Sequence, residues 1–250
     1  MRLCLLRRRA FVNFSRMLLR KQFENSPTVA RVAPFAVFLL LTFCQGKFFA
    51  GSEYWFYLAK TLVGAWLIWE MRPSVAEMRW TISVEAIAVG VAVFVMWVGI
   101  DPYYPKLGEL TAKVGLSKAA GAEQSIWNPH LEFGRDSIAA WLFMAVRVLG
   151  MGLVVPPLEE VFYRSFLYRY IARPDFQSVP LARFSLGPFL FTSTIFGFEH
   201  SQWLAGILCG FAYQGLVIQK RRLGDAIVAH AVTNLLLGVW VVRKEDWQFL

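Results

Sequence analysis

Three short polar runs in the second half of the chain carry residue types that do hydrolytic chemistry. They are Glu159–Glu160–Val161–Phe162–Tyr163–Arg164, Phe196–Gly197–Phe198–Glu199–His200 and His230–Ala231–Val232–Thr233–Asn234. On a helix, Glu160 and Arg164 fall one turn apart on the same face, acid before base, so they pair and neutralise each other. Glu159 lies well around the helix from Arg164, and its carboxylate stays available. His230 and Asn234 also fall one turn apart, projecting from one face of an otherwise apolar helix. A carboxylate, two imidazoles and a carboxamide suffice to activate a water and stabilise an oxyanion. Glutamate with two histidines is equally a catalytic zinc set. Each run alone also has a blander use: a solvated ion pair at a helix end, an interfacial histidine, or an interhelical hydrogen bond.

Other hydrolytic chemistries lack their local signatures. No His-Glu-x-x-His pair and no Gly-x-Ser-x-Gly elbow occurs, and Cys4, Cys44 and Cys209 show neither nucleophile nor clustered metal spacing. Glu85 and Arg147 fall in different apolar segments and read as a structural ion pair or as two unrelated interior groups.

The elements that must hold these groups are set by composition. Hydrophobic residues make up 57% of the 250 and charged residues only 17%, with a mean hydropathy of +0.46. A soluble domain carries about a quarter charged residues, so this chain reads as all-α and polytopic, dissolved in a lipid bilayer. Apolar stretches at Val32–Gly46, Tyr54–Trp69, Ile82–Ile100, Ser137–Val155, Phe184–Phe198, Ser201–Gln219 and Ala226–Val242 predict about seven to eight transmembrane helices. Asp101–Asp136 reads as one long loop. Pro156–Pro157 ends a span, and a more polar helix, Leu158–Ala172, follows it. The chain divides into a basic arm (1–31), N-terminal helices with the long loop (32–136), helices bearing the three motifs (137–242) and a tail (243–250).

The net charge is +9, but residues 1–31 alone hold +7. A basic arm ahead of the first span, with Arg72, Arg79, Arg173, Arg183 and Lys220–Arg222 in alternate loops, places the N-terminus and those loops in the cytosol. Arginines interrupt each early apolar run, against a signal peptide. No aromatic-interleaved basic face accompanies the arm, so nucleic acid is not expected as a partner. A transporter is disfavoured because the polar groups show no repeat symmetry between halves.

The three motifs, in this order, resemble the CPBP family of intramembrane proteases, the type II CAAX prenyl endopeptidase family. Its pattern is Glu-Glu-x-x-x-Arg, Phe-x-x-x-His and His-x-x-x-Asn/Asp. The match runs over residues 137–242. In size and in its long loop the chain is also similar to the CAAX-protease-related proteins beside bacterial exosortase systems. The resemblance implies a membrane endopeptidase of the bacterial inner membrane, with a conical cavity open to the cytosol. It further implies Glu159 as general base, His200 as its partner in holding water, His230 and Asn234 as the oxyanion site, and Glu160 and Arg164 as braces. No metal or other cofactor is implied, and the partner is a membrane-associated protein or peptide substrate. The alternatives are a zinc peptidase on Glu159, His200 and His230, or a non-catalytic scaffold or immunity protein of the same fold.

Overall fold

Ser26 starts the first long helix: its Oγ accepts the backbone N–H of Val29 at 3.3 Å, and Pro27 fills a position with no N–H to satisfy. The computed structural model describes residues 16–116, 127–135 and 137–249, and every regular element among them is helical. Seven long helices carry the architecture: α1 (Pro27–Phe43), α2 (Ser52–Met71), α3 (Val84–Ile100), α4 (Ile138–Ala172), α5 (Leu186–Phe198), α6 (Trp203–Lys220) and α7 (Leu223–Lys244). Three stretches, Val84–Lys113, Ile138–Ala172 and Leu223–Lys244, are long and apolar enough to cross a membrane by length and composition. Pro27–Phe43 and Leu186–Phe198 are apolar but shorter. Large side chains such as Leu40, Leu62, Ile82, Val84, Val95 and Leu142 are exposed, an exterior suited to lipid.

The motif helices pack against α3 and against each other through small residues. A Cβ on Gly90 would lie 2.5 Å from the carbonyl oxygen of Ala229, and one on Gly206 would lie 2.8 Å from the Cα of Gly197. The first approach seats α7 on α3, and the second seats α6 on α5, as small residues do between membrane helices. Thr233 Oγ1 adds a 2.8 Å bond to the Gly90 carbonyl.

Several expectations are corrected. The Pro156–Pro157 pair does not divide two helices; α4 runs through it, with π-helical segments at Gly150–Val154 and Val161–Leu167. Wide turns absorb the prolines, because the N–H groups that proline lacks are no longer required at the usual spacing. Part of the expected loop is ordered as the short helices Leu107–Lys113 and Pro129–Phe133. Residues 117–126 and Asp136 of that loop lie outside the described residues, as do residues 1–15 of the basic arm with Cys4.

The rest of the arm is docked rather than trailing. Residues 16–25 are helical, Arg16 and Arg20 donate to the buried Glu70 at 2.7 and 2.5 Å, and Arg31 is buried inside α1. Arg31 reaches Glu77, in the loop between α2 and α3, at 2.7 Å. Ser165 also donates to Glu77, and Arg169 lies 3.6 Å from it, so one carboxylate ties α1 and α4 together. Burial alone would push the Glu77 carboxyl up, but the Arg31 guanidinium and the Ser165 hydroxyl hold it below its ordinary value. Glu85 and Arg147 do not pair: Glu85 takes Lys220 at 2.9 Å, and Arg147 lies over aromatic rings.

Candidate active site

A cavity of about 710 Å³ between α1, α2, α3, α4, α5, α6 and α7 is lined by Glu159, His200, His230 and Asn234 together. The two adjacent glutamates meet different surroundings. Glu160, fully buried, has Oε2 3.2 Å from Nε of Arg164 and Oε1 2.9 Å from Nδ1 of His230. The arginine contact is an ion pair without an aligned hydrogen bond. Arg164 is itself buried, with its guanidinium 4.3 Å above the Phe196 ring. Glu159 Oε2 is buried without a hydrogen-bond partner and lies 4.0 Å from Nε2 of His230.

His230 is fixed from three sides. Tyr213 stacks on it with ring centroids 5.2 Å apart, Phe196 meets it edge-on at 6.0 Å, and Glu160 holds Nδ1. A carboxylate paired with arginine accepts there, so Nδ1 carries a proton and Nε2 is turned to Glu159.

Asn234 is placed by a defect in α4. The N–H of Val155 bonds back to the Gly150 carbonyl, and Pro156 has no N–H, so the Met151 carbonyl is left without an intrahelical donor. Asn234 Nδ2 donates to it at 2.7 Å. Its second amide proton remains for another acceptor.

His200 stands apart from this group. Its Nδ1 lies 2.8 Å from the Phe196 carbonyl, which can only accept, so Nδ1 carries a proton and Nε2 is an acceptor. Its ring sits edge-on to Trp97 at 5.3 Å and 5.1 Å from the Phe196 ring, which also touches His230. Phe196 thus stands between the two imidazoles. The four residues share one cavity, but the close contacts join Glu159, Glu160, Arg164 and His230, with Asn234 on the next turn of α7. Among the described residues, no three histidine, cysteine or carboxylate side chains are grouped to hold a metal ion. The zinc set of Glu159, His200 and His230 therefore does not fit this geometry.

Two lining cations lie outside the residues expected of the site: Lys60 of α2 and Arg147 of α4, the latter expected as a partner of Glu85 or as an unrelated interior group. Each is a lone charge in an apolar segment. Glu199 lines the cavity as well, beside His200.

The lining passes from Glu159 and His230 to Phe43, Gln45, Phe198 and Phe249, at the end opposite Arg72, Arg79 and Lys220–Arg222. The 13 residues of α5 end at Phe198 and rise only about 20 Å, short of a hydrocarbon core of about 30 Å.

The described residues thus form an all-helical fold with an exterior suited to lipid and a buried carboxylate–imidazole pair in its cavity. Residues 140–236 match the family model described as type II CAAX prenyl endopeptidase, Rce1-like, the family that the three motifs resemble. The match and the apolar helices support an integral membrane endopeptidase. No curated protein and no solved structure matches the chain.

Proposed function

We propose that the protein is an endopeptidase that cuts a membrane-associated protein or peptide inside this cavity, with Glu159 activating the attacking water. The observation that carries the reading is the contrast between neighbours. Glu160 is engaged by Arg164 and His230, whereas Glu159 Oε2 is buried, unpartnered and 4.0 Å from His230 Nε2. A water hydrogen-bonded to both atoms, about 2.8 Å from each, spans that separation.

Glu159 takes the proton as the water attacks the scissile carbonyl, and later delivers it to the leaving amine. Glu160 holds Nδ1 of His230, which turns Nε2 toward the developing oxyanion. Asn234 supplies its free amide proton to the same charge. His200 offers Nε2 as an acceptor at the cavity wall, where it holds substrate or water rather than touching Glu159. Arg164 and Glu160 brace α4 and orient His230. With the basic loops cytosolic, as the charge asymmetry argues, substrate enters from the opposite face.

The test is cleavage of a membrane-peptide library by detergent-purified protein, normalised to folded molecules. Glu159→Gln should lose cleavage by at least about two orders of magnitude while melting within a few degrees of wild type, because its Oε2 holds up nothing else. An active Glu159→Gln protein would overturn the assignment.

A further inference from the structure

Lys60 and Arg147 line the same cavity as the Glu159–His230 pair, and neither forms an ion pair among the described residues. Lys60 is 6% exposed; its ammonium donates to Thr42 Oγ1 at 3.0 Å and lies 4.7 Å from the Phe38 ring centroid. The Arg147 guanidinium donates no hydrogen bond among the described residues and lies 4.6 Å from the Trp127 ring centroid. Both cations also sit on one ring, that of Tyr57, with centroid distances of 4.5 Å for Lys60 and 4.4 Å for Arg147. Two like charges held on a shared aromatic ring in an apolar setting are costly unless an anion joins them. Rings contribute a quadrupole, not a counter-charge.

We propose that Lys60 and Arg147 form an anion subsite of the cavity, which takes the terminal carboxylate of the peptide that Glu159 cuts. The inference rests on the peptidase reading for the identity of its ligand. A guanidinium with five unspent donors suits a planar carboxylate, and the ammonium adds a point charge beside it. The position suits the same ligand. On α4, Arg147 precedes Glu159 by twelve residues, an axial rise of about 16 Å once one residue is taken up by the π turn. An extended peptide covers that with a few residues at about 3.4 Å each. An acidic side chain or a lipid phosphate presents similar charge, but neither is fixed in register with a scissile bond.

Binding is measured on detergent-purified Glu159→Gln protein, so that a failure to cut in the wild type bears on the peptidase reading alone. The probes are acetylated apolar hexapeptides bearing either a free carboxylate or a carboxamide at the C-terminus. The carboxylate form should bind at least tenfold more tightly. That difference should collapse in Arg147→Gln and in Lys60→Gln, and should return in Arg147→Lys and Lys60→Arg, which also controls for folding. Equal binding of the two forms, no saturable binding of either, or a difference that survives both neutral substitutions overturns the proposal. So does a difference that vanishes when phosphatidylglycerol replaces phosphatidylcholine in nanodiscs, which would give the cations to a lipid headgroup. A preference for an internal aspartate over the terminal carboxylate would overturn it equally.

Discussion

Replacing Glu160 by glutamine removes one charge and almost no volume, so its effect isolates the electrostatics of the cluster. In the native protein Arg164 is 3% exposed, and its guanidinium lies 3.2 Å from the Glu160 carboxylate. In Glu160→Gln that guanidinium stays buried over Phe196 with no adjacent counter-ion, and breaking such a pair costs about 3–5 kcal/mol. For a chain of this size each kcal/mol moves the midpoint by about 2–4 °C, so melting should fall by about 6–20 °C. The His230 contact should survive, because a glutamine oxygen still accepts from Nδ1. A double change of Glu160 to Gln and Arg164 to Met leaves no unpaired charge and should recover part of the loss, a coupling that a double-mutant cycle reads directly. Thermal unfolding of purified protein in one detergent at neutral pH is the assay. A single Glu160→Gln variant that melts within about 2 °C of wild type would refute the reasoning, since Arg164 would then have found solvent or another carboxylate.

Other expectations follow from individual contacts. Asn234→Ala should leave the Met151 carbonyl without its 2.7 Å donor, costing about 1–3 kcal/mol of stability. Cleavage per folded molecule should also fall by about two to three orders of magnitude, whereas a drop in stability alone would make the residue interhelical glue. Gly90→Ala should place a methyl 2.5 Å from the Ala229 carbonyl and destabilise the α3–α7 packing by about 1–3 kcal/mol, read as a lowered melting midpoint. The Glu77 carboxyl is held below its ordinary value in the folded protein, so its stabilisation is full above about pH 4.3 and is lost as pH falls through the folded value. Melting measured against pH should therefore drop more steeply on the acid side for wild type than for Glu77→Gln.

What the sequence made legible is what depends on local spacing. The four-residue step from Glu160 to Arg164 announced their contact, and the apolar stretches announced helices in a bilayer. Contacts between distant segments were not legible. The bond from Glu160 to His230 joins residues seventy positions apart, and no periodicity encodes it. Pro156–Pro157 reads locally as a break, yet α4 continues, because a wide turn and a side chain from α7 together accommodate the prolines. Where short helices such as α5 stop was hidden as well, because boundaries are the feature that composition fixes least. Lys60 and Arg147 stood out as charges in apolar segments, but only the shared Tyr57 ring shows that they belong together.

The π turn at Gly150–Val154 also sets a rotational phase. In an uninterrupted α-helix the twelve-residue step from Arg147 to Glu159 turns the second side chain about 120° away from the first, at about 100° per residue. A single π turn absorbs one residue of the count, so the remaining eleven steps bring the two within about 20° of each other. Arg147, Met151, Val155 and Glu159 consequently share one wall of the cavity. Deleting one residue within the turn would leave eleven regular helical steps and keep that phase, at about 20°. Straightening the turn with all twelve steps retained would instead swing the cation about 120° from the base, so the helix defect acts as the hinge pin that keeps the two ends of the site in one room.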